Sequence, residues 1–165
     1  MPMLDELLAI KQFREQQAEA SLYVARSTLA EAHRTEQQAA DDLDQYRSHA
    51  RKQEDASYQA LFARVVKVRD IAELHQDLAI LRSTELQYRS ELDQATAHRE
   101  MAQQAHHTAT QVAREARTIR EKFVELVSRD QDARARNAEY RESLEYEELA
   151  SIVRERDEAW ESADD

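Results

Sequence analysis

The sequence predicts an all-α protein in which two long helices fold back on each other as an antiparallel coiled coil. Apolar residues recur at alternating steps of three and four, a 3.5-residue spacing that is typical of coiled coils. The 165 residues include no glycine and a single proline, Pro2. Because tight hairpins and sheet corners usually need glycine or proline, this composition strongly disfavours sheet folds.

The first helix is predicted over residues 3–67, with alanine and leucine alternating between the two apolar heptad positions. This alternation lets a partner helix approach closely. Lys11, Glu15, Glu36, Gln53 and Ser57 are the polar exceptions in the seam, by which we mean the heptad positions that face the partner helix. Its apolar members are Leu4, Leu8, Ala18, Leu22, Ala25, Leu29, Ala32, Ala39, Leu43, Tyr46, Ala50 and Ala60.

A turn is predicted at residues 68–70, where apolar residues become denser and more β-branched. Asp70 followed three residues later by Glu73 is typical of a helix N-cap with its capping-box partner. Two alternatives stay open: Asp70 and Glu73 are an ordinary exposed pair inside one continuous helix, or residues 54–70 form a short irregular tip.

The second helix is predicted over residues 71–158, with one step out of register near His98. Beyond Leu126 the seam decays, and about 25 surplus residues are expected to extend past the end of the first helix. We treat residues 1–165 as one elongated domain with a frayed acidic end at 159–165. The predicted seam of the second helix is Ile71, Leu74, Leu78, Leu81, Tyr88, Leu92, Ala95, Ala102, Ala105, Ala109, Val112, Ala116, Ile119, Phe123 and Leu126.

The net charge of −11 is concentrated at one end, because residues 139–165 hold eleven acidic residues and three arginines, a net charge of −8. This balance argues against nucleic acid or an anionic membrane as partner and favours a basic protein partner. The chain has no cysteine and no apolar run of the roughly 20 residues that cross a membrane. We therefore expect a soluble, cytoplasmic protein that does not insert into the membrane.

Enzymatic chemistry is not expected from this sequence. Phosphate-binding loops need glycine for close backbone approach, and the chain has none. His98, His106 and His107 form the sole histidine cluster, without the spacing of a metal site. A helical pair also offers no concave pocket for a catalytic triad. We expect no catalytic residue, cofactor or metal.

Three regions are candidates for binding partner proteins. Apolar residues around the predicted turn either close the tip or form a docking edge, and they are Leu61, Phe62, Val65, Val66, Val68, Ile71 and Leu74. A comparatively basic stretch at residues 114–136 is either a solvated helix face or a band that meets acidic loops of a partner. Trp160 is either a frayed terminal residue or an anchor that is buried on binding.

The run from Tyr58 to Arg82, YQALFARVVKVRDIAELHQDLAILR, lies between long helices rich in Glu, Gln, Arg and Ala. In this run, in its length and in its acidic balance, the chain resembles the stalk proteins of bacterial type III secretion. This is the YscO and HrpO group, which is related to flagellar FliJ. The similarity covers the whole chain in architecture and is specific over the 25 residues quoted.

The resemblance implies a cytoplasmic, monomeric stalk on the cytoplasmic side of the secretion apparatus, similar to the shaft of a rotary ATPase. Its implied partners are a hexameric secretion ATPase, which surrounds the paired ends, and an export gate protein, which meets the turn. Secretion chaperones are a further implied class of partner. The implied ATPase-facing residues are Leu4, Leu7, Leu8, Lys11, Arg129, Arg134 and Arg136.

Two other functions remain compatible with the residues. In the first, the chain is one continuous helix that forms a parallel dimer and acts as a scaffold. In the second, it is a helical holdase chaperone that grips clients with the apolar residues around Phe62.

Overall fold

The computed structural model describes the backbone of residues 2–161 and the side chains of residues 3–158. It consists of two helices, α1 over Pro2–Phe62 and α2 over Val68–Glu161, and the described range contains no strand. The side chain of Trp160 and the predicted fraying of residues 162–165 lie outside the described residues.

The two helices pack against each other in opposite directions. Glu15 near the start of α1 pairs with Arg120 late in α2, whereas Glu36 pairs with Arg99. Partner numbers therefore fall along α2 as they rise along α1, which defines an antiparallel hairpin. The all-α prediction is confirmed, and the alternative of one continuous helix is wrong because the chain reverses after Phe62.

The chain divides into two compact units. Unit 1 comprises Met1–Gln17 with Arg114–Asp165, and unit 2 comprises Ala18–Ala113, which includes the turn. Each unit contains part of α1 and part of α2, and the two segments pair within it. The prediction of one elongated domain over the whole chain stays a prediction.

The turn lies at residues 63–67, so the predicted position at 68–70 is several residues too late. Asp70 is not the N-cap residue. Its Oδ2 accepts a hydrogen bond of 2.9 Å from the backbone N–H of Lys67, three residues earlier. The predicted N-cap was wrong: Asp70 occupies the third helical position and accepts from the backbone amide of Lys67, the residue at the cap. Glu73, assigned to that role from the sequence, instead pairs with Arg69 at 2.9 Å.

The turn needs no glycine. No non-glycine residue in the described range has a positive φ, so the chain reverses without any left-handed conformation. The backbone N–H of Ala63 still bonds to the carbonyl of Gln59 at 3.1 Å, which completes the last turn of α1. Arg64 approaches Asp70 at 3.5 Å across the loop. Side chains from the loop and α2 thus supply the contacts that close this connection.

In unit 2 a narrow seam of small and branched side chains holds the helices together. Ala32 and Leu43 of α1 are 4% exposed, and Leu78, Ala95 and Ala102 of α2 are 7–8% exposed. Short alanine side chains allow close approach at these positions, and leucines fill the space between them. The other predicted seam residues of this unit that are half-buried are Leu22, Ala25, Leu29, Ala39, Tyr46, Ala50, Leu74, Leu81, Tyr88, Leu92 and Ala109, whereas Ala60 is exposed.

The seam of α2 keeps an unbroken alternation of four and three, so the predicted step near His98 is absent. Its half-buried or buried positions after Ala95 include Arg99, His106, Ala113, Arg120 and Val127, spaced by seven between 99 and 127. Selecting the most apolar residue at each step led instead to Ala105, Val112, Ile119 and Leu126, all four of which are exposed. Arg99 and Arg120 occupy seam positions here because Glu36 and Glu15 of α1 supply them with carboxylate partners.

Unit 1 continues the same pattern with Leu4, Leu8 and Lys11 half-buried on α1. On α2 Ala116 and Phe123 are half-buried, and Val127 is buried at 9% exposure. From residue 131 to residue 158 every side chain is exposed. We call residues 131–158 the C-terminal extension. Among the described residues, no helix combines the length and apolar character needed to span a membrane.

Candidate partner-binding surfaces

The turn carries a cluster of uncovered apolar side chains, the apolar tip, which we define as Phe62, Val65, Val66 and Val68. Phe62, Val65 and Val68 are 80%, 91% and 86% exposed, values typical of polar rather than aromatic and branched residues. The ring of Tyr58 stacks on that of Phe62 with centroids 6.4 Å apart. Exposed apolar side chains grouped in this way make the apolar tip a candidate docking site.

The remaining predicted tip residues differ from these four. Ile71 is 43% exposed and so extends the apolar surface onto α2. Leu61 and Leu74 are half-buried, which places them in the helix seam below the turn. The seven predicted residues therefore separate into five exposed ones and two that support them.

Hydrogen-bonded side chains connect the two helices across the seam in unit 2, and we call these contacts braces. Arg99 donates from Nε to Glu36 Oε2 at 3.0 Å and from Nη2 to Oε1 at 3.4 Å. The Arg99 hydrogen bonds lower the pKa of Glu36, and the same contact raises the pKa of Arg99. Arg47 Nε bonds to Glu85 Oε1 at 2.8 Å, with the acid now on α2.

Tyr46 adds a neutral brace close to the Arg47 pair. Its hydroxyl donates to the carbonyl oxygen of Leu81 at 2.9 Å, and its ring stacks on Tyr88 with centroids 4.9 Å apart. A hydrogen bond combined with ring stacking fixes the distance and the rotation of the two helices at this level.

Unit 1 has its own brace around Glu15. Arg120 donates from Nε at 2.8 Å and from Nη2 at 3.1 Å to the two oxygens of Glu15, and Arg117 approaches at 3.6 Å. The bonds from Arg120 are the largest cause of a pKa of Glu15 below its usual 4.5. Lys11 Nζ lies 5.2 Å from the ring centroid of Phe123, a cation–π contact between the helices.

The predicted ATPase-facing residues do not form one surface of uniform character. Leu4, Leu7, Leu8 and Lys11 are half-buried. The basic residues are exposed, but Arg129 pairs with Glu125 and Arg134 with Asp130 within α2. Arg136 is exposed in the C-terminal extension. The basic band is thus partly neutralised along its own helix, as the solvated-face interpretation expects.

The braces are the features that sequence reasoning missed. Glu15 and Glu36 were visible as polar exceptions in an otherwise apolar seam. The available signal was an arginine at a matching heptad position of the opposite helix, Arg120 for Glu15 and Arg99 for Glu36. Reading α2 in strict heptads from Arg99 would have found both pairs.

Groups of three or more histidine, cysteine, aspartate or glutamate side chains close enough to hold a metal ion do not occur in the described range. None of the polar or charged residues that the structure describes is fully buried, so none lies in a site closed to water.

Fold and surfaces together define an antiparallel coiled-coil protein with an exposed apolar turn and ion pairs across its seam. The family profile of type III secretion protein YscO matches residues 4–152. The chain therefore belongs to the YscO family of type III secretion proteins, as the residues around the turn indicated. Membership implies a role in a secretion apparatus and contacts with other secretion proteins.

A solved structure has the same fold. The 2.8 Å crystal structure of type III secretion protein YscO from Vibrio parahaemolyticus superposes with a TM-score of 0.82 at 24% sequence identity. The match covers 89% of this chain and 92% of the other. No curated protein matches the chain.

Proposed function

We propose that the chain is a non-enzymatic stalk that links the hexameric secretion ATPase to the export gate on the cytoplasmic side of the apparatus. The observation that carries the proposal is the contrast between the apolar tip and the rest of the hairpin. Along the helices most leucines up to residue 126 are buried or half-buried in the seam, whereas Phe62, Val65 and Val68 at the turn are uncovered. In this proposal the apolar tip docks on the gate protein.

The braces suit a component that transmits force or position. An antiparallel pair held by apolar packing alone can slide by a heptad and still bury similar residues. Paired charges at Glu15, Glu36 and Arg47 oppose such sliding, because a shifted register would leave half-buried charges unmatched. A hairpin with a defined register is a stiff connector between two partners.

The tip is tested by measuring binding of the full-length chain to the purified cytoplasmic domain of the gate protein. Phe62→Ala combined with Val65→Ala should weaken binding at least tenfold, since a few side chains near the centre of an interface, often aromatic ones, carry most of its energy. The matched control is Tyr23→Ala with Val24→Ala, which removes side chains of similar size that are 74% and 62% exposed on α1. Equal losses in the two variants would contradict docking through the tip.

The ATPase end is tested by binding to the purified ATPase. We propose that Leu4, Leu7, Leu8 and Lys11 act through the shape of the paired helices, and that Arg129, Arg134 and Arg136 face acidic loops. Arg136→Glu should weaken binding several-fold and reduce its salt dependence. The control is Arg51→Glu, an exposed residue of unit 2. Parent-like binding by Arg136→Glu would remove this residue from the interface.

One experiment separates the stalk from the holdase function. A holdase would suppress aggregation of an unfolding model client without other components, and Phe62→Ala with Val65→Ala would abolish that activity. A stalk leaves client aggregation unchanged. If the two helices cover each other's seam without a second copy of the chain, light scattering should give the mass of a monomer, 19.2 kDa.

A further inference from the structure

The C-terminal extension carries an apolar helix face that no part of the described chain covers. Tyr146, Leu149, Ala150 and Val153 follow the spacing i, i+3, i+4 and i+7, which places them on one side of a helix. Tyr146, Leu149 and Val153 are 72%, 59% and 48% exposed. We call these four residues the extension face. Neither the apolar tip nor the predicted ATPase-facing residues include any of them.

The extension face does not continue the seam positions of the coiled coil. The seam of α2 alternates between four and three as far as Asp130. Continuing that alternation leads to Arg134, Asn137, Arg141, Leu144, Glu148 and Ser151, so Tyr146, Leu149 and Val153 lie off the seam positions. Extending α1 backwards would therefore not cover Tyr146, Leu149 and Val153 together. This face is built to meet a different surface.

Acidic residues bracket the face. Glu142 lies one turn before Tyr146 and Asp157 one turn after Val153, both on the same side of the helix. Asp157 lines the shallow groove beside Val153 together with Arg154, and it pairs with Arg156 at 3.6 Å. Residues 139–165 nevertheless carry a net charge of −8. The surface is thus an apolar patch in predominantly acidic surroundings.

We propose that the extension face lies in an apolar groove rimmed by lysine and arginine on another protein of the secretion apparatus. Amphipathic helices bind grooves through anchors at this spacing, and the acidic surroundings select a basic rim. The helix already exists in the free chain, so little ordering entropy opposes binding. A second copy of the chain fits poorly, since two segments of charge −8 would repel each other. The partner class rests on the proposed function.

The test is a titration of the full-length chain with three purified probes: the secretion ATPase, the cytoplasmic domain of the gate protein and a chaperone of the same apparatus. The chain has no cysteine, so Gln53→Cys on the exposed side of α1 allows labelling with a single fluorophore. Fluorescence anisotropy then reports binding. Circular dichroism of every variant checks that helicity is retained.

Leu149→Asp is the informative variant, and Ser151→Asp is its matched control. Both replace a neutral residue by aspartate, but two residues along a helix place the control on the opposite side. With at least one probe, Leu149→Asp should raise Kd at least about tenfold, or about 1.4 kcal/mol, and Ser151→Asp less than about twofold. Raising salt from about 50 to 500 mM should also weaken the parent complex.

Three results would overturn the proposal: no probe shows a Kd that depends on Leu149, both aspartate variants weaken binding equally, or the parent forms a dimer that Leu149→Asp dissociates. The tip variant, Phe62→Ala with Val65→Ala, is measured in the same titrations. Its effect on gate binding decides the proposed function independently, because residue 62 belongs to unit 2 and the extension face to unit 1.

Discussion

The paired helices of unit 2 and the C-terminal extension are both helical and highly charged, but they differ in the exposure of their apolar residues. In unit 2 Ala32 and Leu43 are 4% exposed, whereas Leu149 and Val153 of the extension are 59% and 48% exposed. Both regions contain leucine, valine and tyrosine, so composition does not explain the difference. A seam forms where apolar residues keep the 3.5-residue spacing and face a second helix. A helix that does not meet both conditions keeps its apolar side exposed.

The largest expected effect comes from placing a charge in the seam. Leu43→Asp should lower the free energy of unfolding by about 4 kcal/mol, because loss of a buried leucine costs about 2–5 kcal/mol and an unpaired carboxylate adds a desolvation penalty. Val153→Asp in the extension should change it by less than about 0.5 kcal/mol. Urea unfolding followed by circular dichroism measures both. Similar losses would mean that the extension is packed in solution.

Reversing one charge of a brace should have the next largest effect. Glu36→Arg places two arginines together at the seam, so the melting temperature should fall, though by less than in Leu43→Asp. Combining it with Arg99→Glu restores the opposite-charge pair and should recover most of the loss. Thermal melts of the single and double variants test this coupling. Glu145→Arg in the extension is the control, and its melt should match the parent.

Acid should weaken the paired helices through the same carboxylates. Contacts with arginine lower the pKa of Glu15 and Glu36 below the usual 4.5 in the folded chain. Their contribution to stability is therefore complete above that value and is lost as the pH falls through the lowered folded pKa. Glu15→Gln with Glu36→Gln should flatten this dependence between about pH 5 and pH 2. Parent and variant curves with the same slope would rule these two groups out as its cause.

The smallest effect should come from the neutral brace. Tyr46→Phe removes the hydrogen bond to Leu81 and keeps the ring stacked on Tyr88, so we expect a loss of about 1 kcal/mol. Tyr140→Phe in the extension removes an exposed hydroxyl and should leave the unfolding free energy unchanged. If Tyr46→Phe also has no effect, water replaces the bond in solution.

The fold class followed from local patterns in the sequence. Seven-residue spacing of Ala18, Ala25, Ala32 and Ala39 specifies a helix with one apolar side, whatever it packs against. The absence of glycine removes the usual turns of sheets. The resemblance around Phe62 also identified the family, since these residues depart from the heptad pattern that all coiled coils share.

The register of α2 was harder to predict from the sequence, because the apolar residues Val112 and Ile119 lie next to the true seam positions Ala113 and Arg120. Judged one helix at a time, an isoleucine is a better core residue than an arginine. Judged as a pair, Arg120 opposite Glu15 is stabilising, and its long aliphatic stem covers the seam beside the charge. The seam prediction therefore failed at Ile119, and it was displaced by one residue in the same way at Ala105, Val112 and Leu126.

Composition and heptad spacing are sufficient to predict long helices that pair through an apolar seam, because these depend on periods of a few residues, while the family followed from the resemblance around the turn. The turn position, the unbroken seam of α2 and the uncovered side of its last 28 described side chains depend on which residues meet across the pair. Asp70 illustrates the reason. The same carboxylate can begin a helix or brace its third position, and only the backbone amide that it reaches, that of Lys67, distinguishes the two.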